Sequence, residues 1–243
     1  MTNPAPVEPG IPATIEAVND IGPDIRILRV RTNDAPPSWL AGQYMELTFA
    51  GMPPRSYSIA SAPHSNVLEF HIRDSKTGGV SSHIVTTLKP GDALTLRGPF
   101  GYAAMIPGDT MPLLLVAGGM GLSQMKGIVE ESLHSNHPGP IILCWGVKTD
   151  QDLYLKDHFD ALEQQHAQFQ FMPVVEAFLG QNAGQAIRAN FADLSGMRIY
   201  VAGSPAMIAA TLPHLQANGA RADMIHGDDK ALSPAIPPAP KGP

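Results

Sequence analysis

The spacing of hydrophobic residues changes near Pro107, and this change constrains the fold more than any other feature of the sequence. Before Pro107, apolar and polar residues alternate in short runs separated by turn residues, which is typical of antiparallel strands with one buried face. Such strands are predicted at residues 25–31, 45–49, 68–73 and 93–97. With one helix near residues 82–88, they predict a small antiparallel β-barrel.

After Pro107, buried strands alternate with segments of helical spacing. Residues 113–117 are a continuous apolar run, and large apolar residues then recur every three or four positions between 122 and 133. Further strands are predicted at residues 141–145, 169–175 and 199–202, and further helices around 155–162 and 208–215. This alternation predicts a parallel α/β sheet. The chain is therefore predicted to have two domains, an antiparallel β-barrel over residues 11–106 and an α/β domain over residues 107–230.

Proline marks both ends of the chain. Nine of the 24 prolines fall in the first twelve and last eleven residues, which indicates poorly ordered tails over residues 1–10 and 231–243. No leader pattern opens the chain, and the apolar stretch 110–125 is too short and too rich in glycine to cross a bilayer. A cytoplasmic protein without membrane insertion is expected.

Charge and cysteine content limit the function. The net charge of −6 disfavours nucleic acid and anionic membrane as partners. The single cysteine, Cys144, excludes an intrachain disulfide and a four-thiolate iron–sulfur cluster built within this chain. The nine histidines lack the spacing of zinc-enzyme motifs, so no metal is expected.

Three segments could contact phosphate groups or a flat ring. Gly118, Gly119 and Gly121 lie between a predicted strand and helix, where backbone N–H groups can face an anion, although a tight structural turn would use the same glycines. Residues 78–82 also precede a helix, which Ser82 could cap; an ordinary capped helix is the alternative. In residues 55–58, an arginine suits phosphate, a tyrosine can stack on a ring, and a serine can bond a ring nitrogen. Taken alone, that segment also fits an edge strand.

In this order, the segments resemble the ferredoxin–NADP reductase superfamily of flavin-dependent reductases. Residues 55–58 match its R-x-Y-S motif, residues 79–82 its G-x-x-S motif, and residues 98–101 the turn that closes its flavin domain. The resemblance implies FAD as cofactor, with Arg55 on the pyrophosphate, Tyr57 stacked on the isoalloxazine and Ser58 as the catalytic residue near N5. The further FAD-binding residues that it implies are Ser56, His71, Ile72, Arg73, Gly79, Val80, Ser81 and Ser82.

In the second domain, the resemblance implies a nicotinamide-nucleotide site. Its residues are Gly118, Gly119, Gly121, Leu122, Ser123, Gly203, Ser204, Pro205 and Met207. Gln124 stands where the family usually has proline, a change expected to affect only the rigidity of the helix start. Glu176, after the third strand, would repel a 2′-phosphate, so NADH is expected over NADPH, which remains possible. A solvated loop carboxylate is the alternative for Glu176.

The resemblance therefore implies an FAD-containing oxidoreductase that takes hydride from NADH or NADPH. The nucleotide domain is similar to bacterial NAD(P)H-flavin reductases, and the flavin domain is similar to the reductases of aromatic-ring oxygenases. The acceptor is left open between free flavin, a ferric chelate and a separate ferredoxin or oxygenase component. An electron-transfer subunit active only in a complex, and a non-catalytic nucleotide sensor, are the alternatives.

The C-terminal segment lacks a feature that the resemblance leads one to expect. Relatives commonly end with an acidic residue and an aromatic ring over the flavin, whereas residues 225–243 contain no aromatic residue. An open flavin face is therefore expected. The alternative is that His226 or residues 231–236 fold back as a lid.

Overall fold

The computed structural model describes residues 10–227 and Leu232 of the 243-residue chain. Except for Gly10 and Leu232, the predicted tails over residues 1–10 and 231–243 lie outside these residues, as does the predicted lid segment apart from Leu232. Within the described part, no helix is long and apolar enough to cross a membrane.

The first sheet is antiparallel and curled. Its strands are β1 (Ile11–Ile21), β2 (Ile25–Thr32), β3 (Tyr44–Thr48), β4 (Arg55–Ser58), β5 (Leu68–Arg73) and β6 (Ala93–Phe100), and helix α1 (Val80–Thr86) covers one end. They lie in the order β4-β3-β6-β1-β2-β5. The Ala60 N–H donates to the Glu69 carbonyl at 2.8 Å, which brings the two edges of the sheet together. The predicted barrel is confirmed as a half-barrel whose inner face holds a hydrophobic core.

The second sheet is entirely parallel, with strand order β11-β10-β7-β8-β9. Its strands are β7 (Leu113–Gly118), β8 (Ile141–Val147), β9 (Phe169–Val175), β10 (Arg198–Ala202) and β11 (Ile225–Gly227). Its helices are α2 (Leu122–His134), α3 (Lys156–Gln165), α4 (Glu176–Leu179), α5 (Ala183–Asn190) and α6 (Pro205–Ala217). One core lies under α2 and α3, and another lies under α5 and α6. The predicted α/β architecture is confirmed.

Strand β5 is buried on both faces, although its alternating pattern predicted one exposed face. Leu68, Phe70 and Ile72 fill the barrel core, while Glu69 and His71 are also buried. Glu69 contacts Lys126 of α2. The polar face of β5 is therefore covered by the second domain, which a local pattern cannot reveal.

Residues 98–101 are not the closing turn that the family resemblance implied. Strand β6 continues to Phe100, which pairs with Tyr44 of β3. The two rings pack with centroids 5.8 Å apart. A Cβ atom on Gly101 would lie 3.1 Å from the Tyr44 ring, and the φ of Gly101 is +114°. The glycine therefore makes room for Tyr44 beside the end of the strand.

Candidate functional site

Strand β4 contributes to two pockets. Arg55, Ser56 and Tyr57 line a cavity of about 300 Å³ in the barrel, here called the barrel pocket. The next residue, Ser58, lines a cavity of about 590 Å³ between the two sheets, here called the interdomain cleft. Four consecutive residues predicted to bind one ligand therefore reach two neighbouring cavities.

The barrel pocket has features that suit an anionic ligand. Its remaining lining residues are Ser75, Thr77, Gly78, Gly79, Val80 and Ser81. Within the described residues, the Arg55 guanidinium makes no hydrogen bond or ion pair, so its donors are free for a ligand. Gly78 and Gly79 have positive φ values and open space beside their Cα atoms, so a ligand can approach their backbone closely. Burial raises the pKa of Tyr57 to about 12, which keeps its phenol protonated at neutral pH.

Ser82 has a different role from the one predicted. The N-cap of α1 is Gly79, so Ser82 is inside the first turn and does not line the barrel pocket. Its hydroxyl donates to Asp74 Oδ1 at 2.5 Å, and this hydrogen bond lowers the pKa of the Asp74 carboxyl. The bond ties the loop after β5 to α1. Ser82 thus supports the wall of the pocket.

The interdomain cleft brings together residues that are far apart in the chain. The predicted residues that line it are Ser58, Arg73, Gly118, Gly119, Gly121, Glu176, Gly203, Ser204 and Met207. Most come from the carboxyl ends of β7, β9 and β10, where ligands bind in open parallel sheets. Arg73 comes from the barrel and donates to Asp152 Oδ1 of the second domain at 2.9 Å. This ion pair fixes the Arg73 guanidinium on the cleft wall.

The glycines after β7 serve both the turn and the cleft. A Cβ atom on Gly121 would lie 2.2 Å from the Ala202 carbonyl, and one on Gly118 would lie 2.7 Å from Met207, so both positions need glycine for packing. Gly119 differs, because it has a φ of +52° and open space beside it. Its carbonyl accepts from Trp145 Nε1 at 2.9 Å, which holds the loop in place. The loop is a tight turn that leaves Gly119 accessible.

Besides Ser82, five predicted site residues do not line either pocket. Ile72 belongs to the barrel core and Leu122 to the core under α2. Ser123 is buried beside Tyr154, and Pro205 forms the first turn of α6, where the Ser204 hydroxyl accepts from the Met207 N–H. His71, the fifth, has a fully buried side chain. Successive strand residues point to opposite faces, so residues 71–73 cannot all face one ligand.

Seven residues that line the cleft were not predicted as site residues: Met120, Gln124, Gly146, Val147, Lys148, Asp152 and Ala202. Lys148 follows β8 and shares the cleft with Glu176, so a cation lies in the same cavity as that carboxylate. Its place directly after a buried parallel strand was the signal that could have identified it. Gln124 also lines the cleft and is only 1% exposed.

Gln124 connects the second domain to the barrel domain. Its Nε2 donates to the carbonyls of Gly42 at 2.8 Å and Ala103 at 3.3 Å. One turn further along α2, a Cβ atom on Gly127 would lie 3.2 Å from the carbonyls that follow β4, so the helix packs closely on the barrel. The position is therefore a contact between domains, in addition to any effect on the helix start.

His226 does not fold over the cleft. It is buried in β11, its ring stacks on Tyr200 with centroids 5.1 Å apart, and its Nε2 accepts from Arg198 at 3.0 Å. The alternative in which His226 acts as a lid is therefore wrong. Cys144 is buried in β8, and burial raises the pKa of its thiol.

A curled antiparallel sheet, a parallel α/β sheet and a cleft between them define a class of two-domain flavin- and nicotinamide-dependent oxidoreductases. The Arg55 side chain, the open glycines 78 and 79, and the accessible Gly119 fit a phosphate-bearing cofactor in each domain. Residues 12–104 match the oxidoreductase FAD-binding domain, and residues 115–212 match the oxidoreductase NAD-binding domain. The chain belongs to this family of FAD- and NAD-binding oxidoreductases.

Known relatives agree with this membership. The chain is 34% identical over 234 residues to the ferredoxin–NAD(P)(+) reductase component of the naphthalene 1,2-dioxygenase system of Pseudomonas putida, covering 94% of this chain and 70% of the relative. It is 30% identical over 181 residues to the NAD(P)H-flavin reductase of Aliivibrio fischeri, covering 70% of this chain and 77% of that protein. The solved structure of the Amycolatopsis cytochrome P450 reductase GcoB superposes with a TM-score of 0.83 at 29% identity, covering 90% of this chain and 69% of that one. The chain spans 62% to 70% of the length of the dioxygenase reductase components that it matches.

Proposed function

We propose that the protein is an FAD-dependent reductase that takes hydride from NADH and passes electrons to a separate acceptor. The observation that carries this proposal is the course of β4, whose residues reach the barrel pocket and then the interdomain cleft. One ligand bound along this strand would have its phosphates in the barrel and its ring beside the nucleotide domain. This arrangement suits transfer between two cofactors.

The barrel pocket would hold the phosphates of FAD. The Arg55 fork would neutralise the pyrophosphate, and the backbone and hydroxyl groups of Ser56, Gly79, Val80 and Ser81 would surround it. Tyr57 would present its ring to the isoalloxazine, and Ser58 would donate a hydrogen bond to a ring nitrogen at the cleft. When bound, FAD supplies the ability to accept two electrons together and release them singly or in pairs.

The cleft would hold the nicotinamide nucleotide. The open backbone at Gly119 and the Ser204 hydroxyl would contact its phosphates, and Met207 would pack against its apolar parts. Glu176 would accept a hydrogen bond from a ribose hydroxyl and repel a 2′-phosphate. Lys148 would oppose that repulsion, so the preference for NADH is expected to be incomplete.

The acceptor is inferred to be a protein component or free flavin. The relatives named for a dioxygenase system and for cytochrome P450 reduction favour a protein acceptor, and the relative named as a flavin reductase favours a free flavin. The second candidate is an electron-transfer subunit that works only within a complex, because several relatives are named as reductase components of dioxygenase systems. Since these electron donors are regenerated in the cytoplasm, we infer that the protein works there; cell fractionation would place its NADH-oxidising activity.

Anaerobic stopped-flow mixing of the FAD-loaded protein with NADH tests the proposal. Bleaching of the flavin absorbance is expected, followed by reoxidation when free flavin, ferric chelate or a ferredoxin is added. The fastest reoxidant identifies the acceptor, and an isolated chain that is reduced but finds no acceptor favours the subunit. A protein that binds FAD and NADH without bleaching would be a sensor, and one that binds no FAD would contradict the proposal altogether.

A further inference from the structure

His71 and Tyr154 connect the two domains through a hydrogen bond. His71 projects from β5 of the barrel, and its side chain is 0% exposed. Tyr154 lies in the second domain after β8 and is also packed against its core. The Tyr154 hydroxyl and His71 Nδ1 are 2.9 Å apart. Neither side chain lines the interdomain cleft, so ligand binding does not account for the pair.

The direction of each hydrogen bond in this cluster is determined by its neighbours. Burial lowers the pKa of His71 and raises the pKa of Tyr154, so both groups are uncharged at neutral pH. Burial also acts to raise the pKa of Glu69, but the His71 hydrogen bond and the Lys126 charge outweigh it and hold that carboxyl ionised. Because a carboxylate only accepts, His71 Nε2 carries the proton and donates to Glu69 Oε1 at 3.0 Å. His71 Nδ1 must then accept from Tyr154.

Charged contacts reinforce this connection. Glu69 receives the Lys126 ammonium of α2 at 3.2 Å, and Lys126 also pairs with Glu130 at 2.9 Å. Glu69 belongs to the barrel, and Lys126 and Glu130 belong to the nucleotide domain. The polar groups that the two domains bury here therefore satisfy one another, which allows a single relative position of the domains.

The His71–Tyr154 pair is also connected to the cleft. The Trp145 ring packs edge-on against Tyr154 with centroids 5.4 Å apart, and its Nε1 donates to the Gly119 carbonyl. A short series of rigid contacts thus joins His71 of the barrel to the glycine loop that faces Ser58 across the cleft. A shift at Tyr154 would be transmitted to that loop.

We propose that His71 and Tyr154 form a positioning latch that sets the distance between the flavin-binding and nucleotide-binding walls of the cleft. The role assigned to the latch in hydride transfer rests on the proposed function, whereas its effect on domain position does not. The rate of hydride transfer between a bound nicotinamide ring and a bound flavin ring depends steeply on their separation. A latch outside the cleft can therefore control this rate without contacting either ring.

The test is Tyr154→Phe, which removes one hydroxyl and keeps the ring that packs on Trp145. Tyr200→Phe is the matched control, because Tyr200 is a buried tyrosine of the same domain and its hydroxyl faces the Ile106 backbone. Two readouts are made on the full chain. The first is the distance distribution between spin labels on Arg31→Cys and Gln164→Cys, exposed positions in β2 and α3. The second is flavin reduction by NADH in a single turnover.

Tyr154→Phe is expected to broaden the label distances and to slow reduction at saturating NADH by roughly 10- to 100-fold. NADH affinity and the Tyr200→Phe control are expected to remain unchanged. A double variant with His71→Asn should be no slower than the slower single variant if the two residues act as one unit. Unchanged label distances in Tyr154→Phe would overturn the latch. Were no form of the chain reduced by NADH, the proposed function would fail, while the distances would still decide the latch.

Discussion

Replacing Gln124 with leucine would remove the amide that connects α2 to the barrel domain. The side chain is 1% exposed, and its Nε2 donates to two carbonyls, those of Gly42 and Ala103. Leucine has a similar size but no donor. The two carbonyls would therefore remain buried between the domains without this partner.

The expected loss of stability follows from these two bonds. Leaving two buried acceptors without the amide costs about 2 to 4 kcal/mol, with the shorter 2.8 Å bond contributing most. The added apolar surface of leucine returns roughly 1 kcal/mol. A net decrease of about 1 to 3 kcal/mol in the free energy of unfolding is expected. Gln124→Pro should lose a similar amount, because proline is tolerated in the first helical turn but also lacks the amide.

Urea unfolding followed by tryptophan fluorescence measures this change. Gln216→Leu is the matched control, since Gln216 is an exposed residue of α6 and its replacement should alter stability by less than about 0.5 kcal/mol. A Gln124→Leu value no larger than that of the control would refute the reasoning. It would mean that the two domains are held together without the Gln124 amide.

Four further predictions concern the cofactors and pH. Arg55→Ala should weaken FAD binding by roughly 10- to 150-fold in a fluorescence titration, and unchanged affinity would remove Arg55 from the site. Ser58→Ala should retain FAD but slow single-turnover reduction by roughly 5- to 150-fold; an unaltered rate would exclude Ser58 from the reaction. NADH should have the higher kcat/KM, and Glu176→Gln should raise kcat/KM for NADPH by roughly 5-fold, whereas a wild-type preference for NADPH would contradict the assignment of Glu176. Burial and the Arg198 charge lower the pKa of His226 from 6.5 to about 4, so only the unfolded chain binds this proton between those values. Stability should therefore fall by about 3 kcal/mol as pH drops from 6.5 to 4, and a slope that His226→Gln does not reduce would contradict this origin.

Most elements with a strong apolar period were predictable from the sequence. The strands at 45–49 and 68–73 and the helix that begins at Leu122 agree with β3, β5 and α2 within one or two residues. Helix α5 was not predicted, because Ile187 is its only large apolar residue and its period is weak. The three-residue strand β11 is too short to show a period and forms only by pairing with β10.

The sequence by itself determined the order of the two architectures, the glycine and arginine segments, and the family that they indicate. These properties depend on local spacing and residue type. Only the tertiary structure decided which residues share a cavity and which join the domains. Ser58, Glu176 and Met207 line one cleft, His71 contacts the other domain, and Gln124 does both. Burial of the polar groups of His71 and Gln124 depends on a partner surface that is distant in the chain. The sequence shows which residues are polar, but the packing of the second domain determines which partners their polar groups bond to.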